Sequence, residues 1–185
     1  MDEVELIAQA RRGTDSAWVE LVRLHQQAVF RLAYLLLGDA AEAEDAAQDC
    51  FIRAYRGLHR FDASRPMRPW LLRIVANVAS NRRRSLGRYW SALQKAARQQ
   101  EPFIEERTKE VEQDAKDLWK AVKQLPVPMQ KIIYLRYFLE CSVDEAATAL
   151  QLPTGTIKSQ THRALARLQT VIHRDFPKLE ESHAG

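Results

Sequence analysis

Residues 142–159 read Ser142-Val143-Asp144-Glu145-Ala146-Ala147-Thr148-Ala149-Leu150-Gln151-Leu152-Pro153-Thr154-Gly155-Thr156-Ile157-Lys158-Ser159. Ser142 followed three residues later by Glu145 is a capping box, in which side chain and backbone at a helix start satisfy each other's hydrogen bonds. It predicts a short helix through Leu150, a turn at Gln151-Leu152-Pro153, and a longer helix starting after Thr154 and running to about His173. Short capped helix, three-residue turn and longer basic helix make a helix-turn-helix pattern. Ala146, Ala147, Leu150, Leu152 and Ile157 are placed to pack the two helices together, with Ala164, Leu165, Leu168 and Val171 continuing the inner stripe. The outer face then carries Lys158, Ser159, His162 and Arg163. Lys and Arg donate to guanine O6 and N7, and Ser pairs with several base edges, so this face suits a major groove. Thr154, Thr156 and the free N–H groups at the helix start suit a phosphate.

Working outward, almost everything reads as helix, with Gly and Pro at element ends and no sustained strand alternation. Upstream of the motif, a helix starting near Glu112 has the stripe Leu118, Trp119, Val122 and Leu125 and stops at Pro126 and Pro128. The next holds Met129, Ile132, Ile133, Leu135 and Arg136. Nearer the N-terminus, helices are expected over residues 3–11, 16–37, about 40–58 and 69–86. Asp15 is the expected N-cap and Gly38 the expected C′ residue of the second, while Pro69 suits the first turn of the fourth. The third carries a stripe of mostly small residues, including Ala43, Ala46, Ala47, Cys50 and Ala54, that lets neighbouring helices come close. In the fourth, Trp70, Leu71, Ile74, Val75 and Val78 are expected to face inward. The fold class is therefore all-α: two small helical domains joined by a flexible acidic linker. The boundaries are 1–88, linker 89–111, second domain 112–177 and a disordered tail 178–185. Fully extended, the linker spans on the order of 80 Å.

The chain has 185 residues, is 46% hydrophobic and carries a net charge of +4, so it can bury cores, and wholesale disorder is not expected. The distribution of charge says more than its sum. Residues 64–100 contain no Asp or Glu, residues 101–117 are strongly acidic, and residues 146–174 again lack acids. Two basic zones flanking an acidic one point to two polyanion-binding surfaces. No apolar run is long enough for a membrane span, and Met1-Asp2-Glu3 lacks the basic start of a signal peptide. Cys50 and Cys141 fall in apolar helical patterns and read as buried thiols rather than a disulfide or metal site. No catalytic residue, metal site or cofactor is expected.

The first domain offers a second chemistry. Phe61 opens a proline-bounded loop, and the following helix aligns Arg73, Asn77, Asn81 and Arg84 on one side and carries the cluster Arg82-Arg83-Arg84. Amide side chains read exposed base edges, arginines hold phosphates, and loop aromatics receive unstacked bases. This suits single-stranded or melting DNA. The helix before it shows Glu42, Glu44, Asp45, Gln48 and Asp49, a negative stripe that favours a basic protein partner over DNA. The acids are expected to sit away from the basic helices.

At these segments the chain resembles the extracytoplasmic-function (ECF) group of sigma-70 family factors over nearly its full length. Ala43-Glu44-Asp45-Ala46-Ala47-Gln48-Asp49-Cys50-Phe51 is similar to the region 2 signature that binds the clamp helices of the polymerase β′ subunit. Trp70-Leu71-Leu72-Arg73-Ile74-Val75-Ala76-Asn77 resembles the helix that recognises and melts the −10 element. Pro153-Thr154-Gly155-Thr156-Ile157-Lys158-Ser159 resembles the P-x-G-T-[VI]-K-S start of the helix that reads the −35 element. The resemblance implies that Asp45, Gln48, Asp49 and Phe51 contact core polymerase or support that contact. It implies that Phe61 and Asn77 lie at the pocket for a flipped −10 base, with Leu72 and Ile74 nearby, and that Arg73, Asn81, Arg82, Arg83 and Arg84 serve the same element. It implies that Lys158, Ser159, His162 and Arg163 read the −35 element while Arg136, Thr156 and Gln160 contact its backbone. The implied partners are bacterial core RNA polymerase through the β′ clamp helices and the β flap, promoter DNA, and a dedicated anti-sigma factor. The implied location is cytoplasmic, on the nucleoid when polymerase-bound or held at a membrane by the anti-sigma factor, with no direct membrane insertion.

The sequence departs from the family pattern in places. Met67 stands where an aromatic is usual, Asp49 where Glu is usual, Cys141 where an aliphatic residue is usual, and Gln160 where Arg is usual; His162 is an unusual reader. Two competing readings are a helix-turn-helix regulator acting without polymerase and an enzyme acting on DNA. The stripe from Glu42 to Asp49 and the face at Asn77 argue against the first. The second needs a nucleophile or clustered metal-binding carboxylates near a basic cleft.

Overall fold

The computed structural model describes residues 2–92 and 109–181. They form helices α1 (Glu3–Arg11), α2 (Asp15–Leu37), α3 (Ala40–Gly57), α4 (Met67–Ala92), α5 (Lys109–Lys123), α6 (Val127–Ile133), α7 (Val143–Leu150), α8 (Thr154–Asp175) and α9 (Pro177–Glu181), with no strand among the described residues. The chain divides into two compact units, one built on α1–α4 and grouped with Thr148–Gln151 at the end of α7, the other holding the rest of α5–α9.

In the first unit, α2, α3 and α4 pack on one another and α1 packs on α2. The buried face of α3 is Ala43, Ala46, Cys50 and Ala54, all fully buried. Side chains this small let the backbones of α2 and α4 approach, and the larger Leu21, Val29, Leu32, Leu71, Leu72 and Val75 fill the space between them. Asp39 caps α3 by accepting from the Glu42 N–H at 2.9 Å. Gly38 ends α2 in the left-handed region at φ +76, its N–H bonded to Tyr34 O at 2.7 Å.

Several boundaries differ from the sequence expectation. Thr14, not Asp15, is the N-cap of α2, and Asp15 lies in its first turn, where a carboxylate still favours the helix dipole. α4 begins two residues early, at Met67, which keeps Pro69 in the first turn. It also runs past Leu86 and Gly87 to Ala92. One glycine costs about 1 kcal/mol in a helix, too little to stop a run of good helix formers on either side. Trp70 and Ile74 are only half-buried, while Met67 and Leu72 are fully buried. The expected linker at 89–111 is thus helical at both ends, and residues 93–108 lie outside the described residues, as does its expected flexibility.

In the second unit α8 packs against α5, α6 and α9. Gln130, almost fully buried, donates from Nε2 to Lys123 O at 3.0 Å and Leu125 O at 2.7 Å, closing the end of α5 onto α6. α6 continues into one π-helical turn, Tyr134–Phe138. The tail expected from residue 178 is helical through Glu181 in α9, because Leu179 buries itself in a unit that already presents apolar surface on α5 and α8. Residues 182–185 lie outside the described residues. Leu165, expected inward, is 39% exposed. No helix among the described residues is long and apolar enough to cross a membrane.

Candidate nucleic-acid and partner interfaces

The capping box forms with both bonds in place. The Ser142 N–H donates to Glu145 Oε2 at 2.7 Å, and the Glu145 N–H donates to Ser142 Oγ at 3.1 Å. At the other end of α7, Gln151 takes a left-handed conformation at φ +56 and the Leu152 N–H reaches Ala147 O at 3.1 Å. These two devices fix where α7 starts and how the chain turns into α8. Ile157 and Ala164 are fully buried beneath α8. Lys158, Ser159, His162 and Arg163 are exposed together on the outside, with Thr156 and Gln160 half-buried at the edge of that face. The Ser159 hydroxyl donates to Thr156 O at 3.1 Å, which leaves its oxygen as an acceptor for a base or phosphate donor. Arg136 lies apart from this face in role. Its Nη1 donates to Cys141 O, directly before the capping box, so it braces the turn into α7.

In the first unit, Asn77, Asn81, Arg83 and Arg84 are exposed on α4 and Arg73 is half-buried beside them. Arg84 Nη2 donates to Asn81 Oδ1, which leaves the amide N–H₂ of exposed Asn81 as a donor pair. Phe61 is buried and its ring packs on Trp70 at 4.6 Å between centroids, tilted by 31°. Of that pair it is half-exposed Trp70 that offers ring surface. Leu72 is fully buried and belongs to the core, not to an exposed surface.

α3 presents Glu44, Asp45 and Gln48 as exposed and Glu42, Asp49 and Phe51 as half-buried. Phe51 is held edge-on to Trp18, 6.4 Å between centroids. One expectation is corrected here: the acids do not sit away from the basic helix. Arg82 reaches across from α4, with Nη2 2.8 Å from Asp49 Oδ2 and Nη1 3.1 Å from Glu42 Oε2 and 3.6 Å from Asp45 Oδ2. The Asp49 hydrogen bond is the largest influence raising the Arg82 guanidinium above its ordinary value, against partial desolvation, with Glu42 adding to it. The reason is packing. The small stripe of α3 brings α4 close enough for a long arginine to span the gap. Arg82 therefore has α3 carboxylates as its counter-ions.

Cys50 and Cys141 are both buried, and neither forms a disulfide. Burial pushes the Cys50 thiol up to about 12 from an ordinary 9.0.

The family model for sigma-70 region 2 matches residues 21–89, and the model for sigma-70 region 4 matches residues 115–168. The RNA polymerase sigma-H factor of Pseudomonas aeruginosa is 31% identical over 86% of this chain and 88% of its own length. The chain belongs to the ECF group of sigma-70 family factors. The ECF sigma factor SigM of Mycobacterium tuberculosis is 31% identical over 92% of this chain and 84% of its own length, and SigW of Bacillus subtilis is 29% identical over 88% and 92%. Among solved structures, CnrH in complex with the cytosolic domain of CnrY aligns with a TM-score of 0.71 at 26% identity, over 94% of this chain and 98% of that one. RpoE from Bartonella quintana, in complex with the anti-sigma factor NepR, aligns at 0.70 and 25% identity over 84% and 96%. As a sigma factor the chain binds core RNA polymerase and directs it to promoters. The region 2 match runs from within α2 to α4, and the region 4 match runs from within α5 through the capping box and into α8.

Sequence reading missed Glu3, Arg11 and Gln130 as organising residues. None lies in a motif, and each acts through backbone atoms distant in sequence or in a loop.

Proposed function

We propose a division of this sigma factor's work by surface. Asp45, Gln48 and Asp49 on α3, supported by Phe51, dock the β′ clamp helices. The loop at 61–66 and the α4 face of Arg73, Asn77, Asn81, Arg83 and Arg84 hold the melted −10 strand. The α8 face of Lys158, Ser159, His162 and Arg163 enters the −35 major groove, with Thr156 and Gln160 at its phosphates, and the second unit docks the β flap. Arg136 acts on the −35 backbone through the turn that it braces. The factor performs no covalent chemistry of its own, works in the cytoplasm, and is held in check by an anti-sigma factor; the similar RpoE of Bartonella quintana is in complex with the anti-sigma factor NepR.

The observation that carries this reading lies within region 2. Packed helices α3 and α4 present opposite chemistries, an exposed carboxylate stripe on one and an exposed amide and guanidinium stripe on the other. A duplex-binding regulator that works without polymerase has no use for the first. Copurification of the full chain with core RNA polymerase tests it: a stoichiometric complex is expected, and a chain that binds duplex DNA but never core polymerase overturns it.

A further inference from the structure

The loop at residues 61–66 joins the 3-10 turn Leu58–Arg60 to α4, and α1 grips it at both ends. Arg11, the last residue of α1, donates Nε to Leu58 O at 3.0 Å and Nη2 to Phe61 O. Glu3, the first residue of α1, accepts the Met67 N–H on Oε2 at 3.2 Å and meets His25 Nε2 on Oε1 at 2.7 Å. A nine-residue helix is about 13 Å long, so one rigid rod spans the mouth of the loop. Within the loop, Asp62 Oδ1 accepts from the Ser64 N–H at 3.1 Å and the Ser64 hydroxyl at 2.7 Å, and Asp62 Oδ2 lies 3.3 Å from Arg65 Nε. The loop is therefore pinned at each end and braced in the middle, while most of its surface stays exposed.

The chemistry of the grip singles out the backbone. Arg11 brackets the 3-10 turn, donating to Leu58 O, which also accepts the Phe61 N–H at 3.2 Å, and to Phe61 O just past the turn, where a cation suits the negative end of the helix dipole. Glu3 satisfies an orphan N–H in the first turn of α4, where a carboxylate is favoured. Each residue holds the loop's path without filling its surface.

We infer that α1 is a clasp that fixes the shape of the 61–66 loop, with Arg11 and Glu3 as positioning residues for base selection in the melted −10 strand. This rests on the assignment of that loop to the −10 strand. A loop fixed before binding loses less freedom when a base enters, and rejects bases that a pliant loop would accommodate.

The test uses full-length chain assembled with core RNA polymerase, transcribing template libraries randomised at the −10 element and, separately, at the −35 element. Arg11→Ala is expected to flatten base preference at the −10 element by about fivefold to tenfold while −35 preference and core affinity stay unchanged. Arg11→Lys keeps the charge but not the forked donor, and recovers part of the preference. Glu3→Gln provides the same comparison at the other end. Amide hydrogen exchange of Arg11→Ala should speed up over residues 61–67 and stay unchanged in the cores of α2 and α3. A −10 profile superimposable on the parent overturns the inference, and so does an equal erosion of −10 and −35 preference, which is a general loss of folding. Should Arg11→Ala not fold, Arg11→Lys and Glu3→Gln carry the comparison. Asn77→Ala separates the two levels: if it alters −10 preference and the clasp variants do not, the clasp fails and the −10 assignment stands; if none alters it, the assignment fails first.

Discussion

Arg82 on α4 donates from Nη2 to Asp49 Oδ2 on α3 at 2.8 Å, and its Nη1 lies 3.1 Å from Glu42 and 3.6 Å from Asp45. The carboxylate stripe proposed for the polymerase clamp thus carries an internal counter-ion, supplied by the helix proposed for −10 DNA. Two surfaces that sequence assigns to different helices share one ion-pair cluster.

Asp49→Arg tests the clamp assignment. The substitution places a cation where a basic partner is to dock and removes the best acceptor of Arg82. Core affinity should fall on the order of thirtyfold or more, with transcription lost. Since Asp49 is half-buried, its thermal midpoint should be measured alongside. Asp45→Arg, at a side chain 63% exposed, should reproduce the binding loss at smaller cost to the fold. Core affinity left intact in both variants removes α3 from the clamp interface.

Arg82→Ala separates the structural from the competitive role of the arginine. Its partners are 34–63% exposed, so the pairs are screened and their loss should cost about 1 kcal/mol or less. The loss should shrink further as salt rises. With the internal cation gone, the stripe should bind core polymerase more tightly at low salt. Weaker binding instead would mean that Arg82 arranges the carboxylates for the partner and does not compete with it.

The helix-turn-helix was legible because its signals are local. Ser142 and Glu145 are three residues apart, and the structure has both of their bonds. The small stripe Ala43, Ala46, Cys50 and Ala54 was legible for the same reason. What could not be read was long-range. The Arg82 cluster joins residues 33 and 40 apart, and the α1 contacts join residues 47, 50 and 64 apart. Nothing in spacing reveals which carboxylate a surface arginine will reach. The inner face of α4 was misjudged at Trp70 and Leu72 because an early start at Met67 and packing from two sides decide which residues are covered. α9 went unread because a single Leu179 gives no period.

Ser142→Ala removes one half of the capping box and should destabilise the second unit by about 1 kcal/mol. Glu145→Ala removes the other half. Because the two bonds form one motif, the double variant should cost less than the sum of the singles in denaturant titrations of the full chain. Strict additivity would mean the two bonds act independently.

Cys50 gives a pH dependence with a definite sign. Its thiol stands at about 12 in the folded chain against an ordinary 9.0, because burial disfavours the thiolate. Above pH 9 the unfolded chain sheds this proton and the folded chain keeps it. Stability from this group is therefore complete below pH 9 and falls by about 1.4 kcal/mol per pH unit between 9 and 12. Cys50→Ala should lower stability at pH 7 by opening a small gap, yet show a shallower decline above pH 9. Parallel declines in the two proteins would show that the thiol ionises equally in both states.

The most direct measurement is transcription by purified core RNA polymerase, with and without the full chain, on a random promoter library. The account predicts transcripts only with the chain present, from templates that share two short elements. Lys158→Ala should erode base preference at the upstream element alone, by roughly 1–3 kcal/mol at the contacted position, and Asn77→Ala at the downstream element alone. Transcripts with no shared upstream element, or an upstream preference that Lys158→Ala leaves untouched, would contradict the assignment of α8 to the −35 groove. Start-site choice that does not depend on the chain at all would contradict the account as a whole.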